Sequence, residues 1–539
     1  MKFKKLISVL LIVLTMGGVL AGCSDNSIDN GEGSFSDDAK FGNNVGGTSG
    51  GGDIVVPSEN KVGSLNPVFT DLSKANLVTN ILYAPLYLYE GMDITYCLAN
   101  SVEFKDNKEI TIKMKEGLTW HDGKPITADD VIYTLNLILD ESQGSMLRPY
   151  LMVNKVPITV MKEDDFTIKI ELPFEKAGFL HNLSRICPIP KHVYEGEKIV
   201  AASEKNNYPI GSGPFKYKES KEGEYITLVR FDEYVGGKPK ADSITIKVIP
   251  KENQQEALEK EEICLMEATN ELYEKSEEKD SKFQNYSHCA GKLNFLAFNE
   301  NTKVMNNANI RKAISFALNR KGIIAAAYDG DEKGAKEAKT ILLPSTDFYY
   351  DGESIEGYEQ DSEKAKEFLK KASIDIGKLT LGYCNEEDGH KEYAQEIQRQ
   401  LKEADIQVEI RAYDKKAFQE VLVNKKEECN LYVTGYELGG NPEAYRDYFE
   451  SDAFLNQWGY SNDEIDILWE KADGEQNNEK RKKIYTDIQL KLAEDAAVYP
   501  INYERKVMVA LNKVRGIDSA DPRGGGLLFR DWTKLYLSK

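Results

Sequence analysis

Between residues 379 and 440 the spacing of apolar side chains switches between a period of two and a helical period, the pattern of strands alternating with helices. Leu379 to Tyr383 reads as a short apolar strand, followed by a polar stretch from Asn385 to His390. A helix is predicted over about residues 391–404, with Ala394, Ile397 and Leu401 on one face. Ile406, Val408 and Ile410 alternate with polar residues as a second strand. Asp414 is placed to cap a helix that turns Phe418, Val421 and Leu422 inward, and Leu431-Tyr432-Val433 forms a third strand. Strand, helix, strand, helix, strand in this order implies a mostly parallel sheet with helices on its faces. Ligands of such sheets sit beyond the carboxyl ends of the strands. The third strand runs directly into Gly435-Tyr436-Glu437-Leu438-Gly439-Gly440-Asn441-Pro442. That loop is a binding-loop candidate, with a plain turn as the alternative.

The earlier half carries its own elements. Asp53 to Pro57 opens with a strand, and Thr127 stands as a cap before Asp129 and Asp130, whose charges favour a helix N-terminus. That helix buries Val131, Leu135 and Ile138. Phe166 to Leu172, Tyr225 to Phe231 and Ser243 to Ile249 alternate as strands, and Ile310, Ala313, Ile314, Ala317 and Leu318 mark another helix. On that helix Arg311 and Arg320 are assigned to a solvated polar face. Trp120 and His121 precede a tight Asp122-Gly123 turn and are read as structural. No tandem repeat appears, so a solenoid is not expected.

Composition narrows the class. The chain has 539 residues, 41 % hydrophobic and 29 % charged, enough for several domain-sized units with large cores. Its 89 acidic against 69 basic side chains give a net charge of −20, which repels phosphate backbones and argues against nucleic-acid binding. The long apolar run lies at the N-terminus, where Lys2, Lys4 and Lys5 precede Leu6 to Leu20. This run is short for a bilayer span and ends in Leu20-Ala21-Gly22-Cys23, which resembles a bacterial lipobox. The resemblance implies removal of residues 1–22 and a diacylglycerol on Cys23, a two-chain anchor. Residues 24–52 hold eight glycines, five acids and few large apolar groups, so segment 23–52 is expected to be a flexible tether with a reach of about 30 Å. The remaining six cysteines are far apart, and their pairing is left open.

Catalytic chemistry finds little footing. The five histidines are scattered without metal-ligand spacing, no G-x-S-x-G elbow joins a predicted strand to a helix, there is no phosphate loop, and no pattern pairs two carboxylates. No catalytic residue, metal or cofactor is expected.

Four stretches, in order, resemble the extracellular solute-binding proteins of peptide ABC importers, the oligopeptide- and dipeptide-binding family. They are Leu118 to Val131 (LTWHDGKPITADDV), Tyr208 to Phe215 (YPIGSGPF), Asn309 to Arg320 (NIRKAISFALNR) and Gly459 to Asp466 (GYSNDEID). The resemblance runs from about Gly51 to the C-terminus. It implies an α/β, bilobed periplasmic-binding-protein-like fold of class II. The first lobe would take residues 51–84, 205–287 and 505–539, an extra subdomain 85–204 and the second lobe 288–504. It also implies capture of an oligopeptide between the lobes and delivery to a membrane permease served by a cytoplasmic ATPase. The chain would act as a monomer on the extracytoplasmic face of a Gram-positive envelope.

In peptide binders of this family an acidic group on the second lobe often meets the peptide's free amine, and the loop 436–442 covers that region. Here the loop is closer to a subgroup pattern WSLGxDPD. Aligned on Pro442, Leu438 takes the place of the cleft aspartate and Glu437 stands one residue away. The resemblance thus implies ligand contacts from Tyr436, Glu437, Leu438, Gly439 and Asn441, and from Trp458 and Tyr460. Asn66, Tyr83 and Tyr87 are the first-lobe candidates. Relatives that bind metal chelates, oligosaccharides or haem keep a non-peptide solute open. A tethered solute sensor and a lipid-anchored hydrolase are the readings from other classes.

Overall fold

Two sheets of different make-up follow from the patterns above, and a computed structural model shows how they are joined. It describes residues 51–59, 61, 63–69, 77–90, 93–328, 334–350, 352, 355–438, 440–475, 477–523 and 528–538. The leader, Cys23 and residues 24–50 of the tether lie outside the described residues.

The first sheet pairs Asp53–Ser58 in parallel with Ser243–Val248, then continues antiparallel through Tyr225–Arg230 to Phe215–Lys221. A separate antiparallel sheet runs Ala99–Lys105, Glu109–Met114, Thr167–Glu171, Thr159–Lys162. One hydrophobic core joins both, drawing on residues from Ile54 to Phe283 and again from Met508 to Leu535. The second lobe has two cores, one on each face of its sheet, built from residues between Leu293 and Tyr503. The bilobed α/β architecture is therefore visible in which side chains share a core.

The chain passes between the lobes along two strands, Phe283–Phe298 and Val498–Leu511, paired antiparallel to each other. Their register slips between Cys289 and Leu293, at Gly291 with φ +75°. A bulge at that point lets a strand bend without losing its pairing on either side.

The expected strands of the second lobe appear as Leu379–Cys384, Val408–Tyr413 and Leu431–Glu437, the first parallel to both others. The intervening helices are His390–Glu403 and Lys415–Asn424, the second capped by Asp414, whose carboxylate accepts from Ala417 N at 2.7 Å. The sheet is mixed where a mostly parallel one was predicted. The two crossing strands add to it antiparallel, and their length and distance in sequence hid that pairing.

Trp120 is fully buried, and His121 ties two segments together. Gly211 N donates to His121 Nδ1 at 3.1 Å, and His121 Nε2 lies 3.0 Å from Gly213 O. Nδ1 must be an acceptor, so the ring is neutral with its proton on Nε2. Burial agrees, pulling His121 down to about 4.

Arg311 and Arg320 correct the sequence expectation: both are buried and neither faces solvent. Their helices, Ala308–Ala317 and Arg320–Tyr328, pack on main chain that comes much later in sequence. Arg311 reaches the carbonyls of Asp495 and Ala496, and Arg320 donates to Pro500 O at 2.8 Å. Among described residues Cys97, Cys187, Cys264, Cys384 and Cys429 are free thiols. No helix among them is long and apolar enough to cross a membrane.

Candidate functional site

The three strands Leu379–Cys384, Val408–Tyr413 and Leu431–Glu437 end at one rim of the second lobe, where an α/β sheet presents its ligand groups. The crossing strand Phe283–Phe298 runs beside this rim in register, Lys292 opposite Glu437, Leu293 opposite Tyr436 and Asn294 opposite Gly435. Leu438 N closes the corner on Gly291 O at 3.1 Å.

Charge gathers where these ends meet. Lys292 Nζ lies 2.9 Å from Glu387 and 3.3 Å from Glu504. Burial pulls the Lys292 ammonium down, but Glu504 and Glu387 outweigh it and hold it above its ordinary value. Burial likewise pushes Glu387 up, and Lys292 more than offsets this, leaving the carboxylate below its usual range. Lys292 and Glu387 are therefore charged at neutral pH.

Deeper in, the groups are neutral. His390 Nε2 is 3.3 Å from Asn294 Oδ1, and the Tyr393 hydroxyl donates to Asn502 Oδ1 at 2.8 Å. Burial, reinforced by Lys292, pulls His390 down to about 4. Asn294 Nδ2, Asn502 Nδ2 and His390 Nδ1 are buried without a hydrogen-bond partner. Buried polar atoms of this kind, the two amide donors and the His390 Nδ1 acceptor, cost stability unless a water or a bound solute pairs with them. The amide donors call for carbonyl or carboxylate acceptors. No group of metal-binding side chains occurs among the described residues.

The residues singled out from sequence occupy varied places. Glu437 is exposed on the rim and Leu438 is half-buried beside it. Gly439 lies outside the described residues. Asn441 is buried and its Oδ1 accepts from Glu443 N at 3.0 Å, capping the short turn Pro442–Tyr445. Tyr436 and Trp458 come together below the loop, both against Phe295 at 5.3 and 5.4 Å between ring centres. Tyr448 lies against both rings. The Tyr436 hydroxyl donates to Ile341 O, and the ring is buried. Tyr460 stands apart, its hydroxyl donating to Asp495 Oδ2 at 2.8 Å.

The first-lobe residues are internal. Asn66 holds Val68 N on Oδ1 and donates to Asn206 Oδ1, each at 3.0 Å. Tyr83 is buried, and the Tyr87 hydroxyl donates to Leu180 O at 2.9 Å.

Sequence reasoning passed over Lys292, Asn294, Glu387, His390, Asn502 and Glu504. A signal existed for two of them: the polar stretch 385–390 follows strand Leu379–Cys384 as the glycine-rich loop follows Leu431–Glu437. The other four sit on the crossing strands, whose place in this sheet no local pattern announces.

Comparison with known proteins agrees with the two-lobed α/β fold. The family model for bacterial extracellular solute-binding proteins, family 5 (middle region), matches residues 93–465. A putative peptide binding protein AppA from Clostridium difficile has a solved structure similar at TM-score 0.81 and 46 % identity, covering 90 % of this chain and 100 % of that one. The ABC transporter substrate binding protein CtaP from Listeria monocytogenes is similar at TM-score 0.83 and 35 % identity, covering 91 % and 100 %. The oligopeptide-binding protein AppA of Bacillus subtilis is 28 % identical over 538 residues, 95 % of this chain and 96 % of that protein.

Proposed function

The chain belongs to the bacterial extracellular solute-binding proteins of family 5, and from that premise we propose that it captures oligopeptides between its lobes and delivers them to an ABC permease. The observation that carries the peptide assignment is the second-lobe rim. It sets buried, unpartnered amide donors behind the salt-bridged trio Lys292, Glu387 and Glu504. A peptide supplies what such a rim lacks, since its carbonyls accept hydrogen bonds and its termini carry both charges. Likeness to proteins named as peptide binders supports the same reading.

In this account Glu437, Leu438, Gly439 and Asn441 form the loop over the solute, and Tyr436 and Trp458 brace it from below. Asn66, Tyr83 and Tyr87 hold the facing lobe in shape. Binding favours closure because solute contacts both lobes only in the closed state. Cys23 carries the lipid that keeps the chain at the outer face of the membrane, a monomer working beside a permease and its cytoplasmic ATPase. The chain binds and hands over; it catalyses no reaction.

A mixed library of tripeptides to octapeptides should raise the melting temperature of protein beginning at Ser24. Solute at a hundredfold excess over Kd adds about 2.7 kcal/mol to stability. Thermal shifts with a metal chelate, haem or an oligosaccharide, and none with any peptide, would remove the peptide assignment and keep the fold.

A further inference from the structure

The loop over the rim leads straight into a second polar cluster, away from the site itself. The turn Pro442–Tyr445 carries Glu443 against residues from the other side of the molecule. Its carboxylate lies 3.6 Å from Lys176 Nζ, with the Glu443 side chain 12 % exposed and that of Lys176 29 %. Main chain meets main chain beside this pair, where Ala177 N donates to Asp473 O at 2.8 Å. Asn107 Nδ2 adds a bond to Gly474 O at 3.3 Å.

Asn107, Lys176 and Ala177 flank the antiparallel sheet that shares the first lobe's core. Glu443, Asp473 and Gly474 belong to the second lobe. No covalent continuity holds these groups together, since the chain crosses between lobes along residues 283–298 and 498–511.

Two features show that the fit is specific. The first is Gly178, at φ −82° and ψ 7°, a conformation open to any residue. A Cβ there would collide with the Glu443 carboxylate. A side chain there would displace the seated Glu443 carboxylate, while the local backbone would accept it. The second is charge. Arg446 reaches Asp473 at 2.5 Å, while Arg481, bonded to the Tyr349 hydroxyl at 2.6 Å, also faces Glu443. Burial pushes the Glu443 and Asp473 carboxyls up, and they repel each other. Lys176 is the cation that the first-lobe side contributes against both.

We infer that this seam is a latch, in which Lys176 and Gly178 set how readily the lobes close by seating Glu443, and so set the apparent affinity for solute. The inference rests on the two-lobed capture reading above. Apparent affinity is intrinsic affinity scaled by the fraction of chains able to close, so a residue that never meets the solute still tunes it. Lys176 and Gly178 are positioning residues in this sense.

The test uses the solute-free chain, so it does not depend on which solute is correct. Small-angle scattering of the parent is compared with Lys176→Met and with Gly178→Ala, circular dichroism confirming that each variant is folded. Lys176→Met should raise the open-to-closed ratio about tenfold, the size expected for losing a partly buried charge pair, Gly178→Ala should raise it by displacing the Glu443 carboxylate, and each should enlarge the radius of gyration. If either variant scatters like the parent, the latch is overturned. A wrong peptide assignment would leave the scattering change in place and appear only as silence in the peptide library.

Discussion

Replacing Arg311 with alanine should lower the unfolding free energy by about 3–5 kcal/mol, because several buried carbonyl oxygens lose a charged donor at about 1–3 kcal/mol each. Arg311 is 4 % exposed, and its guanidinium pairs with Glu300 at 2.8 Å. It also donates to the carbonyls of Met305 at 2.9 Å, Asp495 at 2.8 Å and Ala496 at 3.1 Å. Truncation strips partners from these oxygens and leaves the Glu300 carboxyl alone in a site where burial already pushes it up to about 8. The double variant Arg311→Met, Glu300→Gln should recover little of the loss, because methionine offers the carbonyls no donor. Urea midpoints with unchanged slope would measure both effects. A loss below about 1 kcal/mol for Arg311→Ala, typical of an exposed pair, would refute the buried role.

Tyr436→Ala should cost a comparable amount, about 3–5 kcal/mol, as expected for truncating a large buried aromatic side chain. The ring lies 4.8 Å from that of Tyr448, 5.5 Å from Tyr445 and 5.3 Å from Phe295, measured between centres. Removing it opens a cavity under residues 437–441 and frees the Ile341 carbonyl. Peptide affinity should fall together with stability, since the loop loses the ring packed beneath it. Tyr436→Phe isolates the hydroxyl and should cost only about 1 kcal/mol. An alanine variant as stable as the parent would show that the ring braces nothing.

These two residues also show where sequence stops informing. The strand–helix alternation from Leu379 to Glu437 was legible because each element buries one face, and burial imposes its period locally. The loop after Leu431–Glu437 was legible by the same rule, since the end of a parallel strand is a position in the chain as well as in space. Arg311 was not. Its partners Asp495 and Ala496 lie 184 and 185 positions away, and a charged residue beside an apolar stripe looks alike whether its neighbour is water or main chain from far along the sequence. Tyr436 was expected to contact ligand because aromatic type and loop position do not distinguish a ring facing solute from one packed beneath the loop. Lys292 and Glu504 needed the long-range pairing of residues 283–298 with 498–511 before they could be placed at the rim at all.

The central claim, an oligopeptide held between two lobes, is tested most directly by native mass spectrometry of the chain purified from the cells that make it, without denaturation. The account predicts bound species that leave on activation and fragment into amino-acid sequence. A chain carrying only metal, haem or sugar adducts, with no peptide among them, would contradict it.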